Sequence, residues 1–326
     1  MIAKAGPLLE VSGLKTYYET PRGVVRALDG ISLHCEGGET LGLVGETGCG
    51  KSTVGLAVIR CVRSPGRIVS GKILFDGTDL LQQPEKYMRK IRGSQISMIF
   101  QDPTASLDPM YTIGYQIKES ILVHRKTERA DSSRITRELL EMVGIPSSLK
   151  RSDSYPHEFS GGMRQRVMIA VALACNPKLL IADEPTSNLD VTISAQILDL
   201  ITRLQNELGM AMIMITHNMG IVAQMCNRVC VLYAGQVVES ARVEEIFEKA
   251  LHPYTKGLLA AIPTLSKKKR LNPIGGTMAD RINPPQGCRF HPRCVHATDI
   301  CEKEEPAYEE VASQHQVACH HWKRIN

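Results

Sequence analysis

Residues 45–52 carry the densest set of groups suited to binding phosphate. The segment reads Gly45-Glu46-Thr47-Gly48-Cys49-Gly50-Lys51-Ser52. Glycines let successive backbone N–H groups approach a phosphate closely, and a lysine and a hydroxyl follow at the spacing needed for phosphate and Mg²⁺. The segment lies between a predicted strand, Thr40–Val44, and a predicted helix, Lys51–Val62. This setting favours a phosphate-binding loop over the alternative, a chance glycine-rich turn.

Two adjacent carboxylates follow a later apolar strand. Leu179–Asp183 reads as a buried strand, and Asp183 and Glu184 stand at its carboxyl end, where open α/β sheets bind ligands. Asp183 is expected to hold Mg²⁺ through water, and Glu184 to polarise an attacking water as general base. Paired acids after an apolar run are common by chance. The prediction of these two roles therefore depends on the position of the acids downstream of the phosphate loop.

A second candidate anion site begins a helix at Ser160. Phe159-Ser160-Gly161-Gly162-Met163-Arg164-Gln165-Arg166 places a hydroxyl, bare backbone N–H groups and a helix N-terminus together. An ordinary serine cap is the alternative for this segment taken alone.

Four of the ten cysteines crowd into the last forty residues, at Cys288, Cys294, Cys301 and Cys319. This crowding predicts a separate metal-binding tail. The gaps of five, six and seventeen residues exceed those of ordinary zinc sites and lack the short ferredoxin spacing. Mixed His/Cys zinc and metal-free thiols therefore stay open beside an iron–sulfur site. The histidines available to zinc are His291, His296, His315, His320 and His321.

The elements around these groups predict an α/β fold. Strands alternate with helices, which implies a mostly parallel sheet covered on both faces. Residues 103–175 show helical spacing without strand signals and predict a helical insert. Beyond residue 263 the chain becomes rich in Pro and Gly and includes the basic run Lys267–Arg270, interpreted as a solvated linker, with headgroup or partner contact as the alternative.

Composition is that of an ordinary globular protein. The chain has 326 residues, 43% apolar and 22% charged, and a net charge of +5, too small an excess to indicate nucleic acid. The N-terminal segment lacks the apolar core of a signal peptide, and no apolar run approaches the length of a spanning helix. We therefore expect a cytosolic protein that reaches a membrane only through partner proteins.

These motifs occur in the order typical of ABC ATPases. The segment from Phe159 resembles their LSGGQ signature peptide, with Phe for Leu and Met for Gln. Gln101 resembles the Q-loop glutamine, Ser187–Asp190 the D-loop, and His217 the switch histidine. Tyr18 is placed like the aromatic residue that stacks on adenine, although Tyr17 is adjacent and a surface aromatic is the alternative.

The resemblance implies a P-loop NTPase fold with a mostly parallel central sheet, a small antiparallel β subdomain, a helical insert and a small metal-binding C-terminal extension. It implies ATP and Mg²⁺ as cofactors, catalysis by Glu184, His217 and Gln101, and Mg²⁺ bound near Ser52, Gln101 and Asp183. The nucleotide-binding residues that it implies are Tyr18, Gly45, Glu46, Thr47, Gly48, Cys49, Gly50, Lys51, Ser52, Thr53, Ser160, Gly161 and Gly162.

Three further segments resemble the ATPases of dipeptide and oligopeptide importers, a group that includes nickel importers. They are Phe100–Pro109, the His252-Pro253-Tyr254-Thr255 segment, and the cysteine tail from Asn283. This closer resemblance implies a [4Fe–4S] cluster on Cys288, Cys294, Cys301 and Cys319. It also implies an ABC nucleotide-binding domain over 1–262 and an extension over 263–326.

The function so implied is ATP-driven import of peptides, with nickel or another small solute as the alternative. The expected partners are two transmembrane permeases, a second ATPase subunit (a copy or a related chain) and an extracytoplasmic solute-binding protein, with no nucleic acid. We expect a peripheral position on the cytoplasmic side of the membrane. The rival interpretations are a soluble ABC ATPase of DNA repair or translation and a redox or metal sensor.

Three positions depart from the family pattern without removing a catalytic group. Asn218 follows the switch histidine in place of Asp, Asn188 replaces Ala in the D-loop, and Cys49 replaces the commoner Ser. Because Cys49 lies among N–H donors beside Lys51, we expect its thiol to have a lowered pKa.

Overall fold

The computed structural model describes residues 6–125, 128–262 and 274–325. The strands of these residues are β1 (Leu9–Thr20), β2 (Gly23–Cys35), β3 (Thr40–Val44), β4 (Gly66–Phe75), β5 (Thr78–Asp79), β6 (Ile96–Ile99), β7 (Leu179–Asp183), β8 (Ala211–Thr216), β9 (Arg228–Tyr233), β10 (Gln236–Arg242), β11 (Glu309–Ala312) and β12 (His315–Val317).

The α-helices are α1 (Lys51–Val58), α2 (Glu85–Ile91), α3 (Pro103–Ser106), α4 (Ile113–His124), α5 (Arg129–Met142), α6 (Ser148–Arg151), α7 (Gly161–Leu173), α8 (Val191–Leu208), α9 (Met219–Met225), α10 (Val243–Lys249), α11 (Pro253–Ala260) and α12 (Asp299–Lys303). The chain divides into two compact units, residues 1–82 with 214–326, and residues 83–213. Strand β8 is divided between them: residues 211–213 belong to the second unit and residues 214–216 to the first.

The first unit contains an antiparallel sheet in the order β2-β1-β4-β5. Strand β1 alternates in burial, with Leu9, Val11, Leu14 and Thr16 inside. The alternation has a period of two on each side of a register shift between Val11 and Leu14, as a strand with one covered face requires. The sheet matches the small antiparallel β subdomain that the sequence predicts.

A second set of strands in the first unit follows the order β11-β12-β10-β9-β3. Strands β3 and β9 are parallel and fully buried, which explains their continuous apolar sequences. Strand β10 pairs antiparallel with both β9 and β12, so the C-terminal hairpin β11–β12 extends this set. The tail therefore joins the sheet of the first unit.

The second unit holds the parallel pair β6 and β7 and a series of helices. The described residues of the stretch 103–175 contain helices and no strand, as their spacing predicts. Helix α8 is amphipathic: it buries Ile197, Ile201 and Leu204, begins at the capping side chain of Asp190, and ends at Gly209 in a left-handed conformation.

Helix α1 ends four residues earlier than the sequence predicts. Arg60 adopts a positive φ of 52°, and its N–H donates to the carbonyl of Ala57. The N–H of Cys61 donates to the carbonyl of Leu56, so these turn bonds close the last turn of the helix. The apolar sequence continues past this turn, which is why the pattern alone predicts a helix to Val62.

Among the described residues, no helix is long and apolar enough to cross a membrane. The basic run Lys267–Arg270 and the boundary at 263 lie outside the described residues. The division into a domain over 1–262 and an extension over 263–326 stays a prediction.

Candidate functional site

The loop between β3 and α1 adopts a backbone that only glycine accommodates at two positions. Gly45 and Gly50 have φ values of 150° and 117°. A Cβ at Gly45 would lie 2.2 Å from the Leu232 carbonyl oxygen, and one at Gly50 would lie 2.6 Å from that of Ala27. The glycines of the predicted phosphate loop are therefore required by its path.

The lysine of this loop is folded back onto the loop itself. Lys51 is buried, and its Nζ donates to the carbonyl oxygens of Gly45 at 2.8 Å and Glu46 at 3.1 Å. Ser52 is the next residue of α1. The Lys51 ammonium group is thus held beside the backbone of the loop, where a lysine can reach bound phosphates.

The paired carboxylates terminate β7 in the second unit. Asp183 is buried, whereas Glu184 is half-buried and adopts a φ of 43°, a left-handed conformation that is strained for glutamate. Gln101, two residues after β6, donates from Nε2 to Glu184 Oε2 at 3.0 Å. The parallel pairing of β6 and β7 brings the predicted Q-loop glutamine to the predicted general base.

The candidate signature segment begins α7 in the same unit. Ser160 caps this helix, accepting from the N–H of Met163 at 3.4 Å, and its side chain faces solvent. A Cβ at Gly162 would lie 2.6 Å from Ile193 Cγ2 of α8, so this glycine permits close packing of α7 on α8. Phe159 is buried and lies within 5.4 Å of the Arg151 guanidinium.

The remaining candidate residues lie in the loops that follow β7 and β8. His217 is exposed directly after β8, and Asn218 caps α9 by accepting from the N–H of Gly220 at 2.8 Å. The D-loop residues Ser187 and Asn188 are exposed, and Asp190 caps α8 by accepting from the N–H of Ile193. Asn218 therefore supplies the cap that the usual Asp would supply.

Comparison with known proteins identifies the family. The profile described as "ABC transporter" matches residues 28–187, and that described as "Oligopeptide/dipeptide transporter, C-terminal region" matches residues 238–301. The dipeptide transport ATP-binding protein DppD of Escherichia coli is 45% identical over 96% of this chain and 96% of its own length. The oligopeptide transport ATP-binding protein OppD of Bacillus subtilis is 49% identical over 95% of this chain and 87% of its own.

The chain belongs to the ABC transporter ATP-binding family. Solved structures of similar fold include the ATP-binding cassette MJ0796, a dimer bound to ADP and phosphate, with TM-score 0.64 and 25% identity over 72% of this chain and 98% of its own. CbiO1 of Clostridium perfringens has TM-score 0.62 and 30% identity over 75% of this chain and 92% of its own. The predicted P-loop fold is confirmed, and the chain is the ATP-hydrolysing subunit of an ABC transporter.

The adenine-stacking residue of this ABC ATPase stays a prediction, but the two adjacent tyrosines differ in environment. The Tyr17 hydroxyl donates to Asp29 Oδ1 at 2.7 Å, which ties that side chain to β2. Tyr18 points to the other face of β1, where a Cβ at Gly66 would lie 2.5 Å from its ring. These contacts favour Tyr18 as the residue that offers a ring face.

The predicted lowering of the Cys49 pKa is wrong. Its side chain is fully buried, with 0% exposure. Burial raises the pKa of the Cys49 thiol, and the opposing effects of the Lys51 charge and backbone N–H groups are smaller. The sequence shows the N–H groups and the lysine, but it does not show that the thiol points into the core.

The sequence gives no indication of the residues that hold Glu46. Its N–H donates to the Tyr254 hydroxyl at 2.9 Å, and its carboxylate pairs with both terminal nitrogens of Arg293 at 2.7 and 2.9 Å. Tyr233 and Phe290 complete an aromatic cluster around Tyr254. The HPYT segment and the cysteine tail thus contact the phosphate loop, although both are distant from it in sequence.

The four tail cysteines lie within electrostatic reach of one another. Burial and the neighbouring thiols raise the pKa of Cys288 to about 11 and that of Cys319 to about 11, and burial also raises the pKa of Cys294. Cys301 is buried, and its carbonyl accepts from the N–H of Cys288 at 2.8 Å. In the described part of the chain, no three His, Cys, Asp or Glu side chains are close enough together to form a metal site.

Proposed function

We propose that this subunit couples ATP hydrolysis to import of dipeptides or oligopeptides across the cytoplasmic membrane. The observation that carries the solute class is the match of residues 238–301 to the oligopeptide/dipeptide transporter C-terminal region. DppD and OppD, named for dipeptide and oligopeptide transport, match over nearly the whole chain. Import of nickel or another small solute is the alternative within the same group.

The proposed nucleotide site uses the phosphate loop of the first unit. Backbone N–H groups of residues 45–53, apart from that of Glu46, which donates to Tyr254, would surround the phosphates. Lys51, now bonded to the Gly45 and Glu46 carbonyls, would bind the β- and γ-phosphates, and Ser52 would hold Mg²⁺. Tyr18 stacks on adenine. Its packing against Gly66 supports that role because it fixes the plane of the ring.

The proposed hydrolytic step depends on Glu184. As general base it polarises the water that attacks the γ-phosphate, while Asp183 holds Mg²⁺ through water. Gln101 would help to hold Mg²⁺ beside this base, and its hydrogen bond to Glu184 supports that role. His217, exposed at the end of β8, contacts the γ-phosphate.

The proposed partners follow from the same family. A second ATPase subunit presents its Ser160–Gly162 segment to the ATP bound here, and closure of this dimer drives two permeases served by an extracytoplasmic solute-binding protein. An exposed apolar surface of the second unit supports permease docking: Phe100, Met110, Tyr111 and Tyr115 are 40–78% exposed. Docking there places the subunit peripherally on the cytoplasmic side of the membrane.

Replacing Glu184 by Gln tests the catalytic proposal. The amide keeps the shape of the side chain but removes the base, so ATP hydrolysis should fall by about 10²-fold or more while ATP binding is retained. Phosphate release and equilibrium binding of ATP measure the two effects. Glu207→Gln, which changes an exposed glutamate paired with Arg203, is the matched control. Near-parental hydrolysis by the Glu184 variant would place the base elsewhere.

We also propose that Cys288, Cys294, Cys301 and Cys319 hold a [4Fe–4S] cluster. Two observations support this proposal although no three of these side chains already form a metal site in the described residues: the four thiols interact electrostatically, and three accept hydrogen bonds from the N–H group two residues on, at Phe290, His296 and His321. Such N–H groups stabilise thiolates around a metal. The proposed role is structural, because ATP hydrolysis needs no electron transfer.

The zinc alternative stays open, because each tail histidine that is hydrogen-bonded through one ring nitrogen keeps a second nitrogen that can bind a metal. Ring nitrogens of His291, His315, His320 and His321 already bond to the Cys288 carbonyl, Glu239, the Glu304 carbonyl and Thr298. Protein purified without oxygen should be brown and contain about four irons per chain. Cys288→Ser should bleach it and Cys226→Ser, a buried cysteine outside the tail, should not. A colourless protein with stoichiometric zinc would favour mixed His/Cys ligation.

A further inference from the structure

The second residue of the phosphate loop is an acid, which is unfavourable where a loop must bind an anion. Glu46 lies between Gly45 and the glycines that follow, and its carbonyl oxygen already accepts from Lys51. An uncompensated carboxylate here would repel ATP phosphates, and the repulsion is strong in a partly desolvated site. Such a charge needs a counter-ion that leaves the backbone N–H groups free for the ligand.

Arg293 supplies that counter-ion from the C-terminal extension. Its two terminal nitrogens face the two carboxylate oxygens at 2.7 and 2.9 Å, a paired geometry that is stronger than a single contact. The Arg293 side chain is only 4% exposed, whereas that of Glu46 is 31% exposed. The carboxylate is thus drawn toward the extension and covered by it on one side.

The orientation of Arg293 is fixed by contacts of its own. Its Nε donates to the Gly275 carbonyl at 2.8 Å, and its guanidinium lies 5.7 Å from the ring centre of Tyr233 and 5.9 Å from that of Phe290. Tyr254, in the same aromatic cluster, accepts the Glu46 N–H. The cation is held at a set position before any ligand arrives, so it need not be ordered on binding.

We propose that Arg293 is a positioning residue for ATP binding: it neutralises Glu46 and turns its carboxylate away from the phosphates. The extension is therefore part of the machinery that sets ATP affinity. This inference rests on the proposed ATP site in residues 45–53 and adds to it a residue about 250 positions downstream.

The test is a rescue experiment on the full-length chain with a fluorescent ATP analogue, mant-ATP. Arg293→Ala should weaken binding about tenfold, because the bare Glu46 charge then repels the phosphates. The loss should shrink as salt concentration rises. Adding Glu46→Gln to Arg293→Ala should restore most of the affinity, since no charge then needs neutralising. Arg293→Lys keeps the charge and should lose less than Arg293→Ala.

Arg289→Ala is the matched control. Arg289 lies in the same segment but bonds to the Ala234 carbonyl and to Asp29 rather than to Glu46. Any defect of this variant should not be rescued by Glu46→Gln. Parental affinity in Arg293→Ala, or a loss that Glu46→Gln does not rescue, would overturn the inference. So would an equal loss in Arg293→Lys.

The parent chain and Lys51→Ala separate this inference from the proposed function. Binding by the parent that is abolished in Lys51→Ala establishes the site whatever Arg293 does. Absence of parental binding, or binding that ignores Lys51, would instead count against the proposed ATP site itself.

Discussion

At the scale of single residues, Cys49 is subject to two opposing effects on its thiol pKa. Lys51 and backbone N–H groups favour the thiolate, but full burial disfavours it more strongly, so the pKa is raised. Because the thiolate is the nucleophile, Cys49 should resist maleimide in the native protein at pH 7, with or without MgATP. Labelling time courses, read by peptide mass, measure this.

Cys61 provides the comparison within the same chain. It is only partly buried at the end of α1 and should be modified faster than Cys49. In denaturant the two should react at similar rates, because burial no longer distinguishes them. Rapid labelling of native Cys49 would contradict its buried position and its raised pKa.

At the scale of elements, the start of α7 carries both a capping function and the proposed contact with a partner's nucleotide. Ser160 is exposed at the helix N-terminus, so Ser160→Arg adds bulk in the space proposed for the partner's γ-phosphate. In a Glu184→Gln background, where hydrolysis does not reopen the dimer, this variant should bind ATP but fail to dimerise. Sedimentation velocity with and without MgATP measures the result.

Two further variants separate the possible causes of failed dimerisation, which are loss of the helix cap, the added bulk at residue 160 and the added positive charge. Ser160→Ala removes the hydroxyl, which costs about 1 kcal/mol of capping stability and one proposed contact with the partner's nucleotide, but it adds no bulk and should still dimerise, with weaker affinity. Ser70→Arg adds an arginine to an exposed position of β4 and should dimerise like the parent. ATP-driven dimerisation of the Ser160→Arg variant would mean that Phe159–Gly162 does not contact nucleotide.

The elements also show what the sequence can predict. The limits of β3 and β7 match those predicted because each is a short apolar run that ends at polar or glycine residues. Strand β10 and helix α11 give no such signal: β10 buries Glu239 and Ser240, and α11 is capped by the buried His252. The Glu239 carboxylate accepts from the Leu251 and His252 N–H groups and faces His315, contacts that periodicity cannot show.

The same reason applies at the candidate site. Motif spacing places Lys51, Glu184 and Ser160 on the correct local structures, because each motif specifies its own turn or cap. The contacts of Glu46 with Tyr254 and Arg293, and of Asp29 with Arg289, depend on tertiary packing of the extension. Residue types alone do not indicate which of 39 basic residues pairs with which acid.

At the scale of the whole molecule, a buried histidine makes stability depend on pH. Burial lowers the pKa of His252 to about 4 from the ordinary 6.5, an effect that the charge of Glu239 only partly offsets. His252 therefore binds a proton below about pH 6.5 in the unfolded chain, but only below about pH 4 in the folded chain. Stability from this group is present above 6.5 and falls as pH drops through this window, by about 2 kcal/mol between pH 7 and pH 5.

His252→Asn isolates this contribution. Asparagine keeps an acceptor for the Tyr254 N–H at the start of α11 but does not titrate. Urea unfolding at pH 7 and pH 5 should show a smaller loss of unfolding free energy in this variant than in the parent. His157→Asn, which changes an exposed histidine, should keep the parental pH dependence. Equal pH dependence in the parent and in His252→Asn would show that His252 titrates normally in the fold.

The ion pair between Glu46 and Arg293 spans 247 residues of chain, which matters while the protein is being made. Ribosomes add about 5–20 residues per second, so roughly 12 to 50 seconds separate synthesis of the acid from that of its counter-ion. During that interval the nascent phosphate loop carries an unneutralised carboxylate. Asp29 in the β1–β2 hairpin precedes its own partner, Arg289, by 260 positions, so its counter-ion is also synthesised much later. A ribosome that stalls before the cysteine tail therefore yields a chain that contains the ATPase motifs but lacks Arg293, so that Glu46 in the phosphate loop has no counter-ion. High-affinity ATP binding should arise only after the C-terminus has left the exit tunnel.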